Sequence, residues 1–222
     1  MHIPDGFLDA PTAVATGAIS VGAVAYSLKV ARERFDDRQI PLVGVTAAFV
    51  FAVQMVNFPV GLGTSGHLLG GALAALLLGP WLGGLVVAVV LLVQGIGFAD
   101  GGITALGANI SWGYLASVGG YYLFRGLIRV LPHSRAAFVT SAFVTAWATV
   151  TVASIWVSLL IWIGGPFGPE VLPVMIGLHA LIGLGEGAIT AAVLGAVLTT
   201  RPDLLATGPQ LPDPAPDAVP AA

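Results

Sequence analysis

From residue 11 to residue 199 the sequence is a succession of apolar runs, most of them close to the ~20 residues a helix needs to cross a bilayer. The first, 11–31 (PTAVATGAISVGAVAYSLKVA), ends in a charged loop holding Arg32, Glu33, Arg34, Asp36, Asp37 and Arg38. The second covers about 40–57 and leads into a glycine-rich link, FPVGLGTSG. The stretch 67–98 is too long for one span and is interrupted by Gly79-Pro80. Proline ends helices and restricts the residue before it. The pattern therefore predicts a short third helix over 67–79 and a fourth over 81–97. Three more follow, over 104–130, 136–163 and 171–199. The expected architecture is an all-α polytopic membrane protein of seven transmembrane helices, a single domain over 1–200. The tail 201–222 is rich in Pro and Ala and is expected to be disordered.

Composition and charge sharpen this. The chain is 57% hydrophobic and 9% charged, whereas a soluble domain carries about 25% charged residues. It has no cysteine, which excludes disulfides, thiolate metal sites and thiol nucleophiles, and a net charge of −3 gives nucleic acid no foothold. No basic segment precedes the first apolar run, so a cleavable signal peptide is not expected. The eight basic residues are Lys29, Arg32, Arg34, Arg38, Arg125, Arg129, Arg135 and Arg201. Seven helices place all of them on one side, which the positive-inside rule makes the cytoplasm. The N-terminus is then outside and the C-terminus cytoplasmic. Six helices, with Gly79-Pro80 as a mere kink, would carry the later arginines across. In the seven-helix arrangement residues 1–10, 58–66, 99–103 and 164–170 share the outer face. His2 and His67, at the outer ends of their segments, can then meet.

That meeting has a chemical meaning. The chain begins MHIPDG. A free amine followed by X-His is a chelator by covalent geometry. The Met1 amine and the His2 amide nitrogen close a five-membered ring on a metal; the amide and the His2 imidazole Nδ1 close a six-membered one. A second imidazole, for which His67 is the candidate, completes a planar four-nitrogen site, the geometry of Ni(II) or Cu(II). Pro4 biases Ile3 toward an extended backbone and Ile3-Pro4-Asp5-Gly6 favours a β-turn that folds the start of the chain over the bundle. Asp5 is a candidate to accept a hydrogen bond from the His2 Nε2–H.

Other polar residues have less determined roles. His179 and Glu186, seven apart, lie on one face of the seventh helix, as a relay or coupling contact or as a buried polar pair. Gln54, Asn57, Asp100 and Asn109 fall near the outer ends of their segments, where they can support the metal ligands or act as caps. Thr64 or Ser65 is expected to cap the third helix; GLGTSGH lacks the Lys-Ser/Thr ending of a phosphate loop. Ala18, Gly22 and Ala25 form a small-residue stripe suited to close helix packing, inside the bundle or against another subunit. Trp81, Trp112, Trp156 and Trp162 read as interface anchors and packing.

MHIPDGFL at the start, GTSGHLLGG at 63–71 and LHALIGLGEGAIT at 178–190 together resemble the CbiM/NikM family, over about residues 1–200. These are the metal-specific substrate-binding (S) components of energy-coupling factor (ECF) transporters, a branch of the ABC importers. The resemblance implies a seven-helix bundle in a prokaryotic inner or cell membrane that binds Ni2+ or Co2+ as transported substrate. The implied ligands are the Met1 amine, the His2 amide and imidazole, and the His67 imidazole. It also implies partners: a transmembrane coupling subunit (CbiQ/NikQ type), cytoplasmic ATPases (CbiO/NikO type) and often a small membrane subunit (CbiN/NikN type), here expected to be separate or absent. The alternative is an intramembrane metal-dependent enzyme using His67, His179 and Glu186. It would need helix-spaced ligands such as H-E-x-x-H, and none occurs.

Overall fold

A computed structural model describes residues 1–61 and 64–207. Long helices dominate. They are α1 (Ala10–Arg34), α2 (Ile40–Met55), α3 (Gly71–Leu78), α4 (Pro80–Gly97), α5 (Leu106–Tyr114), α6 (Gly120–Val130), α7 (Arg135–Gly164) and α8 (Val171–Thr200). A π-helical stretch, Leu115–Gly119, joins α5 to α6 without a break in helical backbone, so the single helix expected over 104–130 is one rod with an inserted turn. Among the described residues five helices are long and apolar enough to cross a membrane by length and composition.

The bundle is inverted relative to a water-soluble one. On α1 the buried positions include Thr16, Ser20 and Ser27, while Val14, Ile19, Val21 and Tyr26 face outward. The buried hydroxyls are bonded: Ser20 donates to the Gly107 carbonyl at 2.6 Å and Ser27 accepts from Tyr114 at 2.9 Å. Apolar surface can face outward because lipid, unlike water, sets no cost on it. The stripe Ala18–Gly22–Ala25 also faces outward, so it takes no part in packing inside the bundle. The most extensively packed pair is α7 with α8, where Gly183 and Gly187 let the helix backbone close on Trp147 and Phe143.

The third segment departs from expectation. Its helix begins at Gly71, not at residue 67, and its eight residues, all buried, rise only about 12 Å at 1.5 Å per residue. It turns back into α4 through Gly79, at φ 88°. Before α3 the chain is irregular, and before that it forms an antiparallel hairpin, β1 (Phe58–Gly61) with β2 (Thr64–Gly66), pairing Phe58 with Gly66 and Pro59 with Ser65. The hairpin replaces the irregular link expected there, and Thr64 and Ser65 lie in a strand instead of capping α3. The beginning of the expected tail is structured: Pro202–Leu204 form a helical turn, Leu205 is buried, and the Ala206 N–H donates to the Leu76 carbonyl at 3.0 Å. The rest of the expected tail, 208–222, lies outside the described residues.

Two polar openings mark the two ends of the bundle. At one, His2, Asn57, Thr64 and Asp100 line a cavity of about 410 Å³. At the other, Phe35, Gly79, Arg125 and Ala206 line a groove of about 420 Å³.

Candidate metal centre

A leading residue is ordinarily loose. Here Met1 and Ile3 are both fully buried in the core, against a cluster that includes Leu69, Trp112, Ile161 and Met175. Burying two such side chains stabilises the docked segment by about 1.5–3 kcal/mol each. Backbone bonds fix its register. The Ile3 N–H donates to Asn109 Oδ1 at 2.9 Å, and Asn109 Nδ2 donates back to the Ile3 carbonyl at 3.0 Å. The same carbonyl accepts from the Gly102 N–H at 2.8 Å. A Cβ at Gly102 would sit 2.4 Å from the Asp5 nitrogen, so only glycine lets the 99–105 loop approach this closely. Asp5 accepts from the Thr104 N–H at 2.7 Å and its hydroxyl at 2.6 Å. The expected contact from Asp5 to His2 is therefore corrected: Asp5 ties the segment to the loop, and these two bonds hold its carboxyl below the usual range.

The carboxylate at His2 is Asp100, 2.7 Å from Nδ1. Asp100 in turn accepts from Asn57 Nδ2 at 2.9 Å. Burial pushes the Asp100 carboxyl up, but the His2 contact outweighs it and the net shift is down. Ala99 beside it, at φ 52°, is the one non-glycine residue with positive φ among the described residues. Such backbone strain collects at functional sites.

His2 and His67 meet as the shared face required: their ring centroids are 4.4 Å apart. Trp112, fully buried, packs against both, at 6.1 and 5.9 Å. Of the two roles expected for it, anchor or packing, it takes packing, as a wall of the site. His67 Nδ1 lies 2.8 Å from the Leu68 carbonyl. A carbonyl only accepts, so Nδ1 carries the proton and Nε2 keeps its lone pair. That Nε2 and the His2 Nε2 are buried with no hydrogen-bond partner among the described residues. Burial drives the Met1 amine well below its ordinary value and lowers His2 too, favouring neutral, ligating forms.

His67 leads into non-helical backbone, residues 67–70, inside the bundle. Such backbone is tolerated in a membrane only where protein satisfies it. Glu186 of α8 does so: its carboxylate accepts from the Leu69 N–H and, at 2.8 Å, from the Gly70 N–H. Gln54 Nε2 donates to the Leu69 carbonyl at 2.7 Å. These side chains do what a cap would do for α3, whose Gly70 N-cap, at φ 70°, has none of its own. His179 and Glu186 are not paired with each other; His179 Nδ1 bonds the Met175 carbonyl at 2.8 Å. Among the described residues no three His, Asp or Glu side chains are grouped to hold a metal.

The profile of the family described as "Cobalt uptake substrate-specific transmembrane region" (CbiM) matches residues 2–204. The chain belongs to the CbiM family. A putative fused nickel transport protein, NikMN, of Archaeoglobus fulgidus is 44% identical over 211 residues, 92% of this chain and 68% of that protein. A cobalt transport protein CbiM of Geobacter sulfurreducens is 32% identical, covering 93% of this chain and 62% of its own. A crystal structure of a truncated transition metal transporter superposes with a TM-score of 0.84 at 28% identity, covering 90% of this chain and 99% of that one. This CbiM-family chain is a membrane component of cobalt or nickel transport, not an enzyme.

Proposed function

We propose that this chain is the substrate-specific subunit of an ECF-type ABC importer in a prokaryotic cell membrane. It captures Ni2+ or Co2+ at the outer face for uptake driven by partner ATPases. The observation that carries this is the burial of the leading amine in the core within one residue of His2, beside the unpartnered Nε2 of His67. In our reading the Met1 amine, the His2 amide nitrogen and His2 Nδ1 chelate the ion, and His67 Nε2 completes the plane. In the structure His2 Nδ1 faces Asp100. The chelate takes the other ring orientation, a half-turn about Cβ–Cγ that leaves the Nε2 side toward Asp100.

The seven-span topology, with residues 1–10 outside and residue 201 onward cytoplasmic, follows from the clustering of basic residues and makes the His2 cavity the entry. In this reading a coupling subunit and the hydrolysing subunits are partners of the chain, whose sequence shows no phosphate-binding loop. An N4 site with an ionised amide favours Ni2+ over Co2+. The test is calorimetric titration of nickel into the chain starting at Met1, into one carrying one extra residue before it, and into one acetylated there. Loss of binding in both modified forms, with the fold retained, is expected. Equal affinities remove the amine from the site.

A further inference from the structure

At the end of the bundle opposite His2 lies the groove of about 420 Å³, lined among others by Phe35, Gln39, Trp81, Tyr121, Tyr122 and Arg125. Nothing in the metal chemistry uses it. Arg125 and Tyr121 both line it. Arg125 is half-buried, and among the described residues no carboxylate lies within ion-pairing distance of it; its contact is the Tyr121 ring, 5.9 Å away. Tyr121 is only 8% exposed, lines the groove, and its hydroxyl makes no hydrogen bond among the described residues. The groove's floor is the start of α4, where Gly79 offers no side-chain cap and Pro80 occupies the first turn. A guanidinium, a phenol and an uncapped helix start, lining one groove, together offer the donors a phosphate takes.

We propose that this groove holds the phosphate of an anionic phospholipid headgroup. The lipid source is favoured over a dissolved ion by the surroundings. The groove opens beside apolar surface that faces outward, Leu28 on α1 and Tyr122 and Leu123 on α6. Phe35 at its rim is also exposed, and Tyr26 packs edge-on against Trp81 at 4.6 Å, an aromatic collar of the kind found at headgroup depth. Lys29, Arg32, Arg38, Arg129 and Arg135 belong to the same end of the sequence's topology, with Glu33, Asp36 and Asp37 as the opposing charges of the first loop; the surplus is basic and adds attraction to an anionic leaflet. The bound lipid bridges α1, α4 and α6, so it fastens the α3–α4 turn, which carries no side-chain cap.

The test is native mass spectrometry of the purified chain exchanged from detergent into mixtures of phosphatidylglycerol and phosphatidylcholine. Four forms are compared: wild type, Arg125→Gln, Tyr121→Phe, and the control Arg129→Gln, which removes an exposed charge one turn away. Nickel binding at the far end, unchanged in every form, certifies the fold. Wild type retains phosphatidylglycerol, Arg125→Gln lowers that retention about fivefold, and Arg129→Gln leaves it within about twofold. Tyr121→Phe gives a smaller loss. Equal retention in Arg125→Gln and Arg129→Gln overturns the proposal. Displacement of the lipid by millimolar inorganic phosphate also overturns it and assigns the groove to a dissolved anion. Retention that disappears whenever the coupling subunit is present overturns it as well, in favour of a protein occupant.

Discussion

Ile3 and Asn109 exchange two hydrogen bonds, amide to Oδ1 at 2.9 Å and Nδ2 to carbonyl at 3.0 Å, across 106 positions of sequence. A helix side chain thus stands in for the neighbouring strand that the third residue of the chain would otherwise need. Because Ile3 follows His2 directly, this pairing sets where the Met1 and His2 nitrogens sit. Asn109→Ala leaves the buried Ile3 N–H without its acceptor and takes one of two donors from the Ile3 carbonyl, which keeps Gly102. The expected outcome is a stability loss of about 1–3 kcal/mol and a 10–100-fold weaker nickel affinity, read by thermal unfolding and titration. An affinity that follows wild type while stability drops would show that the ligands are held by something else.

Glu186 makes a comparable demand. Its two carboxylate oxygens accept from two adjacent amides, Leu69 and Gly70, two and three positions after His67. Glutamine has one oxygen and an NH2 that would face a second N–H, so Glu186→Gln leaves one buried donor unpaired, at a cost of about 1–3 kcal/mol. The expected result is a weakened, spectrally altered nickel site in Glu186→Gln, the planar absorption band shifting because His67 is no longer fixed. A His179→Ala variant, whose ring contacts the Met175 carbonyl instead, should leave the band in place.

Much of this was legible in the sequence where the signal was local. The break at Gly79-Pro80, the long apolar helices and the encounter of His2 with His67 followed from proline chemistry, hydropathy and charge placement. What was not legible depended on contacts across the fold. Asp5 is nearer than Asp100 to His2 along the chain, yet the turn after Pro4 sends Asp5 to Thr104 and leaves His2 to the later loop. The non-helical backbone at 67–70 reads as helix because an apolar run continues from it; Glu186 and Gln54, from α8 and α2, make the non-helical form tolerable. Trp112 looks like any membrane tryptophan until both imidazoles are seen against it.

Asp100 is the only acidic residue lining the cavity above His2 among the described residues. A single carboxylate at such a mouth concentrates a divalent cation before it reaches nitrogen ligands. Asp100→Asn keeps a hydrogen-bonding group beside His2 and removes the charge. Stopped-flow nickel binding should show a slower association rate in Asp100→Asn and a flatter dependence on salt, with dissociation changed less. An unchanged association rate would place capture elsewhere.

Burial of the leading amine makes the proton count of binding a sharp measurement. An exposed α-amine ionises near 8 and imidazole near 6.5. In the fold the Met1 amine is driven well below its ordinary value and His2 is lowered, in both cases chiefly by burial. Burial thus favours the neutral form of both, and the proton left to be displaced is the one on the His2 amide. Nickel affinity should fall about tenfold per pH unit between pH 8 and 6.5, and calorimetry in buffers of differing ionisation heat should count about one proton released. A slope near two would mean that the amine is protonated until the ion arrives. The same shifts act oppositely on the fold itself. As pH drops through the ordinary amine and imidazole values the unfolded chain takes up protons that the folded chain refuses, so unfolding is favoured. The melting temperature without nickel should decline steadily from pH 8 to pH 6, and a variant with His2→Ala should lose the lower part of that decline.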